Sequence, residues 1–177
     1  MKKKIISYKK YQNLRLNWQK KIGLNKKTHK LSKKLYTEAD KNNYSYLFSW
    51  DDEPLLQTPE DLIVLQEIIS KHKPQVIIEL GVAWGGSILY LESLSKTFKF
   101  IKKIIGIDIF IPSDLKRRLK KKISSKTVLI EDDTCSTNVK NYILSLKKKY
   151  KRFLIHLDSD HTEKHVLKEL NFYSDVL

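Results

Sequence analysis

The sequence predicts an α/β fold, an open parallel sheet of four strands flanked by helices, on three observations. Short apolar runs alternate with amphipathic stretches of helical period along residues 76–173. That alternation is the pattern of parallel strands joined by right-handed helical crossovers. The first run, Val76-Ile77-Ile78, is apolar throughout, as a strand covered on both faces requires. It leads into Glu79, Gly81, Gly85 and Gly86, an acid and a glycine-rich turn that lets the backbone approach a ligand.

Taken in order, residues 1–43 read as a basic arm. Tyr8, Tyr11, Leu14 and Trp18 recur at near-helical spacing, which predicts one or two helices with connectors rather than a packed domain. Residues 44–177 read as the α/β domain, opening on an aromatic, turn-like stretch to Gln57. Thr58 then suits a helix cap, Pro59 the first helical position and Asp61 a weak capping box. Leu62, Leu65, Ile68 and Ile69 line one face of that helix, and Pro74 marks its exit. The first sheet strand is Val76–Leu80, and the helix after it carries Ile88, Leu89, Leu91 and Leu94. The second strand covers 104–109, followed from Pro112 by a helix with Leu115, Leu119 and Ile123 on one stripe. The third covers 128–130, with a helix after Ser136 through Val139, Ile143 and Leu146. The fourth is Phe153–Leu157, and a last helix holds Val166, Leu167, Leu170 and Tyr173. The expected strand order is third, second, first, fourth (3-2-1-4), which leaves the apolar fourth strand at an edge. Such an edge invites pairing with a second copy or a complementing chain, and the domain reads as cut short at its C-terminus.

Composition narrows the class. A chain of 177 residues, 41% apolar and 31% charged, suits one globular domain with a real core. No segment approaches the roughly 20 apolar residues that span a bilayer. Met1-Lys2-Lys3-Lys4 resembles a charged leader start, but Ser7, Tyr8, Lys9 and Lys10 interrupt any apolar region, so no signal peptide is expected. Cys135 is alone, which excludes an internal disulfide and points to a reducing, cytoplasmic setting; it reads as a packed side chain rather than a nucleophile. The net charge of +15 is concentrated in residues 1–36, which hold no acid, and in two runs, Lys116 to Lys122 and Lys147 to Lys151. No nucleic-acid-binding motif accompanies it, so solvated faces are the reading, with an acidic membrane surface or anionic substrate open for the arm.

The chemistry gathers where strands end, since ligands of open parallel sheets sit outside the carboxyl ends. Glu79, Asp108, Asp132 with Asp133, and Asp158 with Asp160 follow the four strands in turn. Ser87 opens the first crossover helix, whose free amides suit a carboxylate. The turn lacks the middle glycine of Gly-x-Gly-x-x-Gly, and Glu79 would repel a pyrophosphate while suiting an ammonium group. S-adenosylmethionine fits this pattern better than a dinucleotide. Asp108 is placed for ribose hydroxyls and Asp133 for an adenine amino group. Asp158, at a strand tip, suits a hard cation such as magnesium, and His161 suits a general base for a hydroxyl bound to that ion. Asp160 also reads as a helix cap, His165 as a surface residue and His156 as a satisfied structural histidine.

From Trp50 onward the chain resembles the cephalosporin hydroxylase and rhamnosyl O-methyltransferase family of class I methyltransferases. The matching residues are Gln57 to Leu62, Gln66 to Ile69, Ile78 to Gly81, Gly85-Gly86-Ser87, Gly106 to Asp108, Leu157 to Thr162, His165 to Leu167 and Glu169-Leu170. The resemblance implies a partial Rossmann-like methyltransferase sheet and methyl transfer to a hydroxyl of a sugar, glycolipid or natural product. By position it assigns the cofactor to Glu79, Gly81, Gly85, Gly86, Ser87, Asp108 and Asp133, the metal to Asp158 and the base to His161. Two departures are Asp132, where the family has glycine, and a Glu-Asp pair after a fifth strand that this sequence does not contain. The expectation is a methyltransferase-like domain that binds the cofactor weakly or not at all and is incomplete for turnover alone, with a purely binding or assembly module as the alternative.

Overall fold

A computed structural model describes residues 6–176; Lys2 to Lys4 of the basic start lie outside the described residues. The chain forms two compact units, divided after Tyr44. In the first unit, Ser7 accepts the Lys10 amide to cap α1 (Tyr8–Gly23), and Asn25 accepts the Thr28 amide to cap α2 (Lys26–Asp40). The sequence anticipated one or two helices, and the described residues of this unit form two α-helices. Tyr11 and Trp18 meet edge to face at 6.2 Å on α1, while Leu16, Ile22, Leu31 and Leu35 are exposed.

The second unit opens with an antiparallel hairpin, β1 (Phe48–Trp50) and β2 (Glu53–Leu55), where the sequence had suggested only an aromatic turn. Its loop residues Asp51 and Asp52 both take positive φ, 49° and 66°. Two positive values are what a tight hairpin turn needs, and aspartate tolerates them better than most residues. Then follow α3 (Pro59–His72), β3 (Val76–Leu80), α4 (Gly86–Thr97), β4 (Lys103–Asp108), α5 (Ser113–Lys120), β5 (Thr127–Glu131), α6 (Thr137–Lys147), β6 (Phe153–Leu157) and α7 (Glu163–Val176). Thr58 is the N-cap of α3, but its hydroxyl donates to the Asp61 carboxylate (2.8 Å) instead of accepting an amide.

The four parallel strands pair in the order β5-β4-β3-β6, the anticipated third-second-first-fourth arrangement. The order reverses at β3, which makes the carboxyl ends of β3 and β6 the natural ligand crevice. Both faces of the sheet are covered. Val76, Ile78, Leu80, Ile105 and Ile107 pack against Val139 and Ile143 of α6 and Tyr173 of α7. On the other face Ile77 and Ile104 pack against Leu65 and Ile69 of α3, Tyr90 and Leu91 of α4, and Leu55 of the hairpin. Helices on both faces explain why the strands read as unbroken apolar runs.

The hairpin is tied to α4 by Trp50, whose Nε1 donates to Ser93 Oγ (3.0 Å) and whose ring meets Tyr90 edge to face at 5.0 Å. Trp50→Phe keeps an aromatic ring but removes the donor, and is expected to cost about 1–2 kcal/mol. Urea unfolding checks it; an unchanged midpoint would mean the hairpin adds nothing to this unit.

Candidate active site

The turn after β3 is built by two glycines and an aspartate. Gly81 sits at φ +96°, and a Cβ there would lie 2.1 Å from the backbone oxygen of Asp158. Its amide donates to the Ile107 oxygen (2.8 Å), and the Asp158 amide donates to the Leu80 oxygen (2.9 Å), so the tips of β3, β4 and β6 lock together there. Gly85, at φ +84°, caps α4 and gives room to Leu119. Asp108 Oδ2 accepts the amides of Val82 (2.8 Å) and Ala83 (3.1 Å), and its Oδ1 accepts that of Phe110 (3.1 Å). One carboxylate at the end of β4 thereby fixes both its own loop and the glycine turn.

A cavity of about 410 Å³ opens at these strand ends. Four aspartates line it, Asp108, Asp133, Asp158 and Asp160, together with Gly81 and His165. Asp133 accepts the Cys135 amide (2.7 Å) and pairs with Lys168 (3.1 Å). The amide first, and then the ammonium, hold its carboxyl below the ordinary carboxylate range. Asp160 is held low by the Thr162 amide; it stands two residues before Thr162, which leads into α7, and fixes that loop, not the helix cap the sequence suggested.

Behind the cavity wall lies Glu169, fully buried on α7. Its Oε1 accepts the hydroxyls of Thr134 (2.7 Å) and Ser159 (2.7 Å) and lies 2.9 Å from His165 Nε2. This carboxylate joins the loop after β5, the loop after β6 and the first turns of α7. It also makes His165 an oriented imidazole rather than the surface residue the sequence suggested. Tyr173 donates to the Thr134 oxygen (2.7 Å) from below, and burial raises its pKa.

Of the residues singled out from sequence, Gly81, Asp108, Asp133 and Asp158 line the cavity. Gly85, Gly86 and Ser87 shape the turn and the first turn of α4 without lining it; a Cβ on Gly86 would meet the Pro54 oxygen at 2.4 Å. His161 is 76% exposed, with Nε2 3.6 Å from Asp158 Oδ1. Glu79 is fully buried on the α3 and α4 face of the sheet, two residues along the strand from Ile77. Asp132 turns toward its own loop, accepting from Ser136 Oγ and the Asp133 amide, and does not line the cavity. Cys135 is half-buried, and burial pushes its thiol pKa up, which suits packing and not nucleophilic attack.

His156 differs from the satisfied histidine expected. Its Nδ1 is buried without a hydrogen-bond partner, 3.6 Å from Glu79 Oε2. Burial works against protonating this ring, but the Glu79 carboxylate outweighs it and the pKa is raised. Sequence reasoning also missed Gln57, whose Nε2 donates to Asp158 Oδ2 (2.8 Å) across 101 positions, a pairing that no local pattern signals. Glu169 was findable, since it stands one helical turn after His165.

The donor set limits the chemistry. A cavity lined by four aspartates disfavours phosphate and suits hydroxyl and amino donors or a cationic centre. Its size is that of a small-molecule site. Asp158 and Asp160 are hard oxygen donors of the kind magnesium accepts. S-adenosylmethionine, with ribose hydroxyls, an adenine amino group, an ammonium and a sulfonium, fits that wall.

Residues 42–177 match the family described as Rhamnosyl O-methyltransferase/CmcI. The rhamnosyl O-methyltransferase of Mycobacterium tuberculosis (strain ATCC 25618 / H37Rv) is 29% identical over 119 residues, covering 66% of this chain and 47% of that protein. That of Mycobacterium leprae (strain TN) is 29% identical over 131 residues, covering 73% and 55%. The chain thus spans about half the length of the curated relatives it matches. Among solved structures, apo CmcI-N160 superposes with a TM-score of 0.55 at 21% identity, over 75% of this chain and 53% of that one. CmcI-N160 with SAH gives 0.52 at 19% identity, over 72% and 59%. At that identity the superpositions speak to the fold. Among the described residues, no helix is long and apolar enough to cross a membrane.

Proposed function

The chain belongs to the rhamnosyl O-methyltransferase/CmcI family, and on that footing we propose that it is an S-adenosylmethionine-dependent O-methyltransferase acting on a hydroxyl of a sugar, glycolipid or natural product. The observation that carries this reading is the aspartate-lined cavity at the strand ends, together with the Gly81 turn. When bound, S-adenosylmethionine supplies a methyl group on a cationic sulfur, and magnesium on Asp158 would lower the pKa of the acceptor hydroxyl.

The residues of the chain divide the remaining work. Asp108 keeps acceptor capacity beyond its three amide bonds and takes the ribose hydroxyls. Asp133, kept ionised by the Cys135 amide and Lys168, accepts an adenine amino group. Gly81 allows the close backbone approach, Gly85 and Gly86 shape the turn behind it, and the α4 amides near Ser87 would take an anionic end group. His161, beside Asp158, takes the acceptor's proton. A second reading gives that proton to His165, favoured by its place on the cavity wall and its contact with Glu169. The edge of β6 is open to a strand from a second copy or a complementing chain.

Transfer of a labelled methyl group from S-adenosylmethionine to rhamnosyl and other hydroxyl acceptors tests the proposal. Cofactor binding without transfer to any acceptor would favour the alternative, a binding or assembly module. In a chain that turns over, His161→Ala is expected to lower the rate about 10²- to 10⁴-fold while leaving cofactor affinity unchanged. Loss in His165→Ala with none in His161→Ala would move the proton to His165.

A further inference from the structure

Three side chains on the α3 side of the sheet form a cluster that the cofactor reading does not use as a unit. Glu79 and His156 are direct register partners on β3 and β6. Asp158 follows His156 by two residues, so it returns to the same side. One ligand atom from each lies within 4.8 Å of the other two. Gln57 Nε2 holds Asp158 Oδ2 at 2.8 Å, fixing that carboxylate as an outer partner fixes a metal ligand.

The independent observation is what these groups lack. Glu79 is 0% exposed, and neither of its carboxylate oxygens has a hydrogen-bond partner. The facing Nδ1 of His156 is equally unpartnered. Among the described residues, no lysine or arginine forms an ion pair with Glu79. The one cationic candidate facing it is the His156 ring, 3.6 Å away and outside hydrogen-bond reach, so the buried carboxylate is left poorly compensated in a way that a bound ion would complete.

We propose that Glu79, His156 and Asp158 bind one divalent first-row transition ion, of the zinc or manganese kind, through two carboxylates and the imidazole Nδ1. The imidazole nitrogen discriminates against magnesium, which prefers an all-oxygen shell, and favours borderline ions. Three protein ligands leave a coordination position open, as in exchangeable rather than closed sites. A recess of about 360 Å³ on the α3 side, lined by Gln57, Thr58, Asp61, Leu65, His156 and Asp158, borders two of the three ligands. Asp158 is shared with the magnesium role proposed above, and His156 separates the two, because only this site uses it.

The test is calorimetric titration of the chelator-treated chain with ZnCl2, MnCl2 and MgCl2, without S-adenosylmethionine. One equivalent of Zn2+ or Mn2+ is expected to bind at least about tenfold more tightly than Mg2+ and to raise the thermal midpoint. His156→Gln is expected to weaken that binding about tenfold or more and to abolish the rise, with the far-UV circular dichroism spectrum unchanged. Should that variant fail to fold, Glu79→Gln is measured against the same expectation. No saturable binding by the wild-type chain at 100-micromolar order, or full affinity retained in either variant, would overturn the site. Because no cofactor is present, this titration and the S-adenosylmethionine reading can each fail alone.

Discussion

Gly81→Ala is expected to destabilise the second unit by about 4 kcal/mol, or to prevent it from folding. Two costs add at this position. An alanine would be held at φ +96°, where L side chains are strained. Its Cβ would also stand 2.1 Å from the Asp158 backbone oxygen and 2.7 Å from the carbonyl carbon. Backbone atoms cannot rotate aside, and moving them breaks the Asp158 to Leu80 and Gly81 to Ile107 bonds that join three strand tips. At Gly85 the nearest atoms are the methyl ends of Leu119, which can yield, so Gly85→Ala is expected to cost less. Urea unfolding followed by circular dichroism ranks the two variants. A loss below about 1 kcal/mol for Gly81→Ala would show that the β3 and β6 tips are free to move apart.

Asp108→Ala should cost about 2–3 kcal/mol of stability and lower S-adenosylmethionine affinity about 100-fold. The substitution removes the acceptor for the Val82, Ala83 and Phe110 amides at one stroke. Hydrogen bonds to an ionised acceptor are the strong ones, and the Val82 and Ala83 amides shape the turn that the cofactor would rest on. Asp108→Asn retains one oxygen and turns an NH2 group toward an amide, so an intermediate loss is expected. Calorimetry of the folded variants checks the binding effect. Equal affinity in wild type and Asp108→Ala would remove the ribose assignment while leaving the structural role intact.

The sheet was legible because its signal is local. Apolar runs such as Val76 to Ile78 and helical stripes such as Leu115 with Leu119 each specify an element on their own, and their alternation specifies the topology. The hairpin was not legible for equally local reasons. Its strands are three residues long, one contains Pro54, and its turn uses Asp51-Asp52 instead of a glycine pair. At the site, the glycine turn and the acids at the strand ends stood out. Which way each acid points depends on strand parity: β3 runs one residue past Glu79, and that side chain faces α3 and α4. Long-range partners were invisible. Glu169 becomes an organising group because Thr134 and Ser159 reach it from two other loops, and Asp158 is held by Gln57 from before α3.

The proposed function places S-adenosylmethionine in the aspartate-lined cavity at the strand ends. Titration of the chain with S-adenosylmethionine by calorimetry tests it most directly. One equivalent is expected to bind with a Kd on the order of micromolar to tenths of millimolar, falling off sharply in Asp108→Ala. No heat from the wild-type chain at millimolar cofactor, under conditions where it is folded, would contradict it.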